Sequence, residues 1–374
     1  MRIYAVVMHK YEPIKTGIIG ARGYAGLELA RLLLRHPRVK LASCFASDSP
    51  FALTDYLCDR GAESVPILPL SGLDETLKNL DVVFLATPPE ISAKWAPKIL
   101  NAGKDVIDLS GAFRLKMGNS EQCVTAYRKW YQMEHLNTEL ISRSIYGLSP
   151  WNHKQLPSET ALIANPGCFA TAVLMAILPL LSKELIDPHS IVIDAKSGAS
   201  GAGRKATENL LFNEVEGDCI PYRIGSHAHL PEIQVHVEAI SQMTIHPFFT
   251  TSLLPVRRGI IAGIYARLKG SDTAKESAKK INETFMSAYQ EYPLVRFGDL
   301  SELQPHLQAQ ALSLKKISGT PKTHIFFKVV DDKIYLFSLI DNLLKGAASQ
   351  AVENLNWLNH LPVDTGLTGL DGVL

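Results

Sequence analysis

One of the five cysteines in this 374-residue chain stands where its chemistry would be altered. Asn165-Pro166-Gly167-Cys168 is a turn that delivers Cys168 to the first positions of a strongly apolar helix reading to about Lys183. The unpaired N–H groups of a helix start stabilise a thiolate, lower its pKa and can hold a developing oxyanion. The bland alternative is a small core residue. Cys44, Cys58, Cys123 and Cys219 lack this setting, and an odd number without CxxC spacing indicates neither a disulfide framework nor a zinc site. Further on, His227-Ala228-His229-Leu-Pro-Glu232 sets two imidazoles one residue apart, pointing the same way if the chain is extended. Glu232 is the one nearby group that could join them on a metal, so general acid/base work is the preferred reading and no metal is expected.

A second set of residues suits anions. Gly17-Ile-Ile-Gly20-Ala-Arg22-Gly23-Tyr24-Ala25-Gly26 follows a strand and opens a helix, where glycine lets backbone N–H groups approach a pyrophosphate. The second strand ends at Ser47-Asp48, beside the expected ribose: an acid suits a free 2′-hydroxyl, whereas a 2′-phosphate prefers hydroxyl or Arg donors, which leaves NAD against NADP open. Ser197-Gly198-Ala-Ser-Gly-Ala-Gly-Arg204-Lys205 is a small-residue loop ending in two cations, able to cradle phosphate or the nicotinamide end of a cofactor. Arg114 and Arg258 each adjoin apolar strands and could fork onto a carboxylate or phosphate. Asp341-Asn342 reads as a helix cap, or as an amide facing a cofactor.

The elements that must position these groups fall into two patterns. Strands at 14–19, 39–45, 82–86 and 105–109 alternate with helices at 24–35 and 91–101, the rhythm of a doubly wound parallel sheet. Beyond Pro166 the runs at 191–195, 250–256, 260–268, 324–330 and 333–339 predict a largely antiparallel sheet with the helix 273–289 packed on it. A closing helix spans 342–358. The expected class is α/β, a Rossmann domain formed by 1–166 plus 342–374 and an α+β catalytic domain formed by 167–341. With 46% hydrophobic residues the chain carries ample core material. A net charge of +1 argues against nucleic acid as a partner, and apolar runs such as 172–181 are too short to span a membrane. The stretch 3–8 is too brief for a secretory h-region, so a cytoplasmic location is expected, and Met8 is a plausible alternative initiator.

Together the motifs resemble the N-acetyl-gamma-glutamyl-phosphate reductases, relatives of the aspartate-semialdehyde dehydrogenases, over about Lys15 to Asn356. The likeness rests on GxxGYxGxEL at Gly20–Leu29, IDLSxxFRL at Ile107–Leu115, NPGC at Asn165–Cys168, SGxSGAGRK at Ser197–Lys205, HxHxPEI at His227–Ile233 and DNLxKGAA at Asp341–Ala348. It implies NADP(H) bound by Gly20, Arg22, Gly23, Tyr24, Ala25, Ser47, Ser197, Gly198 and Asn342. It implies Cys168 as nucleophile, His227 as acid/base with His229 in reserve, and Arg114, Arg258, His229, Glu232 and Arg204 around an acyl phosphate. The implied reaction is the NADPH-dependent reductive dephosphorylation of N-acetyl-L-glutamyl 5-phosphate, releasing inorganic phosphate, by a homo-oligomer, dimer or tetramer, serving arginine biosynthesis.

The chain departs from that pattern at Pro88-Pro89-Glu90, where Pro-His-Gly is usual, at Ala170, where Pro usually follows the nucleophile, and at Ala228, where Arg is common. Tyr146-Gly-Leu-Ser149-Pro150 stands for YGLPE, so an acidic group is missing there. The rival readings are an aspartate-semialdehyde dehydrogenase, a non-catalytic dinucleotide sensor and a cysteine hydrolase. The SGxSGAGRK and HxHxPEI stretches speak against the first, the presence of Cys168 and His227 against the second, and the dinucleotide half against the third.

Overall fold

The computed structural model describes residues 12–46, 51–151 and 160–369. Ser47, Asp48 and Met8, singled out above, lie outside them. Seven strands, β1 (Ile14–Ile19), β2 (Val39–Ala46), β3 (Ile67–Pro69), β4 (Val82–Leu85), β5 (Asp105–Asp108), β6 (Ile145–Tyr146) and β7 (Leu162–Ala164), form one sheet in the order β3-β2-β1-β4-β5-β7-β6. Every pairing in it is parallel. All four residues of β4 are buried, as a strand covered on both faces requires. The order reverses between β1 and β4, and that switch point opens a crevice at their carboxyl ends, the usual ligand position in such sheets.

A second sheet holds β8 (Val192–Gly198), β9 (Ile220–Tyr222), β10 (Phe248–Leu254), β11 (Ile260–Arg267), β12 (Val295–Asp299), β13 (Thr323–Val330) and β14 (Lys333–Ile340), ordered β12-β13-β14-β11-β8-β10-β9. It is mixed: β8–β10 and β12–β13 run parallel, the other pairs antiparallel. The short strands β3, β6, β7 and β9 carry too few residues for a periodic signal, and sequence reading passes over them.

Two helices among the described residues carry a proline beyond their first turn, and both solve the resulting problem in the same way. A proline has no N–H, so the carbonyl four residues earlier loses its partner. In the helix Cys168–Ser182, Pro179 frees the Met175 carbonyl, which accepts from the Tyr289 hydroxyl at 2.5 Å. In Pro89–Asn101, Pro97 frees the Ala93 carbonyl, which accepts from the Asn137 side-chain amide at 3.1 Å. These bonds let an apolar helix keep its proline inside the protein, where an unpaired carbonyl would be costly.

The closing helix differs from its expected form. Asp341 Oδ1 caps it, accepting from the N–H groups of Leu343 and Leu344, but the first turn, Leu344–Ala348, is π-helical, and regular α-helix begins at Ser349 and ends at Leu358. From this helix Gln350 and Asn354 donate to the Gly147 carbonyl near the end of the first sheet.

Candidate active site

Cys168 is the first residue of the helix Cys168–Ser182, and Asn165 is the hub that fixes its turn. The Asn165 N–H donates to Asp108 at the end of β5, its carbonyl accepts from Arg114 Nε, and its side chain bonds Ala347 and Asn354 of the closing segment. The Cys168 turn is thereby pinned to both halves of the chain. The Gly167 N–H donates to Glu232 Oε1 at 2.8 Å, and Tyr146 donates to the same oxygen at 2.7 Å. Glu232, expected on the substrate, is fully buried and holds the turn instead.

Electrostatics correct a second expectation. Burial pushes the Cys168 thiol up to about 11, although the Arg114 charge and the Phe169 and Cys168 N–H groups at the helix start pull the other way. At rest Cys168 is a neutral thiol, not the thiolate that the helix start alone implies. Partial solvent access remains to it although protein surrounds it densely.

The two histidines do not share an extended strand. Ala228 is helical, His229 begins the helix His229–Ser241, and the rings meet edge-on with centroids 4.7 Å apart. Phe169 flanks both, at 5.4 and 5.9 Å. Burial, and then the adjacent His229 ring, push His227 down to about 2, and burial holds His229 well below its ordinary value. His227 Nδ1 accepts the His229 N–H at 3.1 Å, which puts the single proton of the neutral ring on Nε2. His229 turns Nε2 toward Gly167, leaving room for no more than a hydrogen there, and its buried Nδ1 has no hydrogen-bond partner among the described residues.

Both arginines chosen from sequence are engaged by protein. Arg114 is buried, donates to the carbonyls of Asn165 and Leu109, and lies 3.5 Å from Glu232. It acts on the thiol through its charge. Arg258 donates to Glu28 at 2.7 Å and to Asp341 at 3.0 Å, a clamp between the first helix and the second sheet that occupies the fork meant for a substrate anion. Asn342 likewise spends its amide on protein, accepting from the Gly259 N–H and donating to Ser200, while Ser197 Oγ donates to the Gly198 carbonyl. These bonds fix the Gly/Ser loop against the β10–β11 turn.

The glycine-rich turn is built for a dinucleotide. Gly20 has φ +91°, and a Cβ there would meet the Ala86 carbonyl oxygen at 2.4 Å, so the ends of β1 and β4 close together as glycine alone permits. At Gly23, the N-cap of the helix Tyr24–Arg35, no side chain caps the helix and a Cβ would meet nothing nearer than 3.6 Å. The N–H groups of that first turn, with Tyr24 and Ala25 in it, therefore have no side-chain cap and are left for a ligand. Arg204, expected on the substrate, lies here: it donates to the Arg22 carbonyl and stands 4.3 Å over the Tyr56 ring. The Tyr56 hydroxyl is held below its ordinary value by hydrogen bonds from Arg204 and Arg22. A cleft of about 610 Å³ runs between this helix and the loop, lined by Tyr24, Glu28, Arg204, Lys205, Arg257 and Arg258 among others. The residues fit the phosphates of a nicotinamide dinucleotide.

Among the described residues no group of three or more His, Cys, Asp or Glu could hold a metal, and no helix is long and apolar enough to cross a membrane. The sequence reading missed Tyr146, Tyr56 and the buried group Tyr292–Lys345–Glu353. Ser149, in the stretch where the sequence lacks the expected acid, is hydrogen-bonded to the buried Glu353. A lysine at the helix start and a glutamate eight residues further along the same helix were the signal available.

A parallel nucleotide-type sheet, a mixed sheet and a cysteine at a helix start between them are the framework of a nucleotide-dependent dehydrogenase. The chain belongs to the semialdehyde dehydrogenase family: residues 15–158 match its NAD binding domain and residues 168–342 its dimerisation domain. It is 36% identical over 360 residues to an N-acetyl-gamma-glutamyl-phosphate reductase of Geobacillus stearothermophilus, covering 96% of this chain and 99% of that one. In fold it is similar to aspartate semialdehyde dehydrogenase II of Vibrio cholerae, solved in complex with ASA (TM-score 0.63, 17% identity, 94% of this chain and 99% of that one). It is equally similar to the aspartate semialdehyde dehydrogenase of Candida albicans solved with NADP (TM-score 0.62, 14% identity, 93% and 99%). The chain is an oxidoreductase of this family.

Proposed function

We propose that this protein reduces N-acetyl-L-glutamyl 5-phosphate to N-acetyl-L-glutamate 5-semialdehyde with NADPH, the arginine-biosynthesis step named by its relatives. The observation that carries the reading is the meeting of Cys168, Arg114 and the His227–His229 pair beside the carboxyl ends of the first sheet. Because the thiol is neutral at rest, it must lose its proton as it attacks. His227 carries its proton on Nε2 and spends Nδ1 on the His229 N–H, so in this reading His229 accepts the thiol proton and the His227 Nε2–H hydrogen-bonds the oxygen where charge develops. This divides between two rings the work that the motif alone gives to His227. Sγ bonds to the acyl carbon, the carbon–oxygen bond to phosphate breaks, and inorganic phosphate leaves a thioester on Cys168. The Gly20–Ala25 turn would hold NADPH, whose chemistry there would be hydride transfer to this thioester. The proton that His229 took from the thiol passes to the resulting alkoxide, which the His227 Nε2–H steadies by a hydrogen bond, and loss of that hydroxyl proton with cleavage of the carbon–sulfur bond frees the aldehyde and returns the thiol.

Residues 1–166 and 342–374 serve as the cofactor unit and 167–341 as the catalytic and oligomer-forming unit, in a cytoplasmic homodimer or tetramer. The assay runs in reverse: N-acetylglutamate semialdehyde, phosphate and NADP+ or NAD+, followed by absorbance beside aspartate semialdehyde and a Cys168→Ser variant. Phosphate-dependent NADPH formation with the acetylated aldehyde, lost in the variant, supports the reading. Turnover with aspartate semialdehyde alone refutes the substrate.

A further inference from the structure

The π-helical turn Leu344–Ala348 lies directly behind the nucleophile. Its wide winding is marked by hydrogen bonds from Gly346 to the Asp341 carbonyl and from Ala348 to the Leu343 carbonyl, each across five residues. Such turns are rare and concentrate at functional sites. A Cβ on Gly346 would fall 2.6 Å from Cys168 Cβ and 3.1 Å from its Cα, so the backbone of this turn touches the bond that aims the thiol. Whatever fixes the turn fixes the direction of Sγ.

Lys345, the neighbouring residue, is fully buried, as is Glu353. Its ammonium donates to both Glu353 carboxylate oxygens at 2.9 Å and to the Tyr292 hydroxyl at 2.5 Å, which uses all three of its protons. Tyr292 donates to Glu353 in turn, and Ser149 completes the carboxylate's shell. The network joins the turn behind Cys168 to the closing helix, to the segment after the helix Ala274–Tyr289 and to the loop following β6. Burying two charges is expensive, and their best-attested use is to fix one register among several. Apolar side chains would fill this space without fixing how far the π turn is wound.

We propose that Lys345 is a positioning residue for Cys168, with Glu353 and Tyr292 as its anchors: the three-way contact sets the π turn, and the turn sets the approach of Sγ to substrate. None of the three touches substrate. The proposal rests on the reading of Cys168 as nucleophile, so its test includes a readout that needs no turnover.

Lys345→Met alone would strand the Glu353 charge, so the informative variants are Lys345→Met/Glu353→Gln, which removes both charges together, and the milder Tyr292→Phe. Cys168 alkylation by iodoacetamide is followed by peptide mass spectrometry from pH 6 to 11 beside kcat and KM. The expected result for the double variant is a displaced alkylation profile and a kcat lower by about tenfold or more with KM within about twofold, as misplacement of a reacting atom produces. Tyr292→Phe shifts both readouts the same way by less, and decides the matter should the double variant not fold. Wild-type alkylation and kcat in the folded double variant, or in Tyr292→Phe if that alone folds, overturns the proposal. If the wild type shows no reductase activity, the proposed reaction falls while the alkylation profile still decides the role of Lys345.

Discussion

Replacing Glu232 by Gln should make the protein less stable and its cysteine more acidic. The Gln carbonyl can keep both bonds that Glu232 Oε1 accepts, from Gly167 and Tyr146, but the new NH2 group faces the Arg114 guanidinium, 3.5 Å from Oε2 in the native protein. Removing one partner of a buried ion pair costs about 3–5 kcal/mol, and this long contact belongs at the lower end. With about 2.1 cal/mol/K of unfolding entropy per residue, a chain of 374 residues loses about 4–6 °C in Tm for that range. The Glu232 charge also helps to keep Cys168 protonated, so its removal leaves Arg114 to pull the thiol below its native value of about 11. Thermal melts give the first quantity and the pH profile of Cys168 alkylation the second. An alkylation midpoint that stays in place or rises would refute the electrostatic account of the site, and an unchanged Tm would refute the contribution of the Arg114–Glu232 ion pair.

Tyr289→Phe strands the Met175 carbonyl and Trp151 Nε1, at about 1–3 kcal/mol per unsatisfied group; adding Pro179→Ala restores a backbone N–H for Met175, and strict additivity of the two changes in denaturant melts would contradict this. Arg204→Ala should weaken NADPH binding about tenfold, read by fluorescence titration, with the loss growing smaller at high salt; unchanged affinity would remove Arg204 from the cofactor site. His227, His236 and His324 are held down to about 2, 4 and 4, chiefly by burial. Below the unfolded value of about 6.5 the unfolded chain takes up protons that the folded one refuses, so stability present at pH 7 is lost as pH falls, by about 2 kcal/mol for each ring at pH 5. His227→Gln should flatten this slope in pH-dependent melts, and an unaltered slope would show that the ring does not stay neutral.

The long elements were legible in the sequence because their signals are local. Gly20 to Arg35 carries a turn and an amphipathic helix in its own order of residues, β13 is a largely apolar run and β14 alternates over its first half, so each forms close to where its pattern lies. The residue types of the site were legible for the same reason: a thiol at a helix start, two adjacent imidazoles, cations after a glycine loop. Their roles were not. Whether Arg258 meets a substrate or Glu28, whether Arg204 faces substrate or the cofactor turn, and whether Glu232 binds a ligand or the Gly167 N–H depend on partners 230, 182 and 65 residues away in the chain, respectively. Charge, donor count and reach are properties of a residue, and these the sequence determined. Burial and the identity of the partner belong to the assembled chain, so only the tertiary structure decided that Cys168 rests as a thiol, that His227 bears its proton on Nε2, and that Lys345 and Glu353 pair behind the nucleophile.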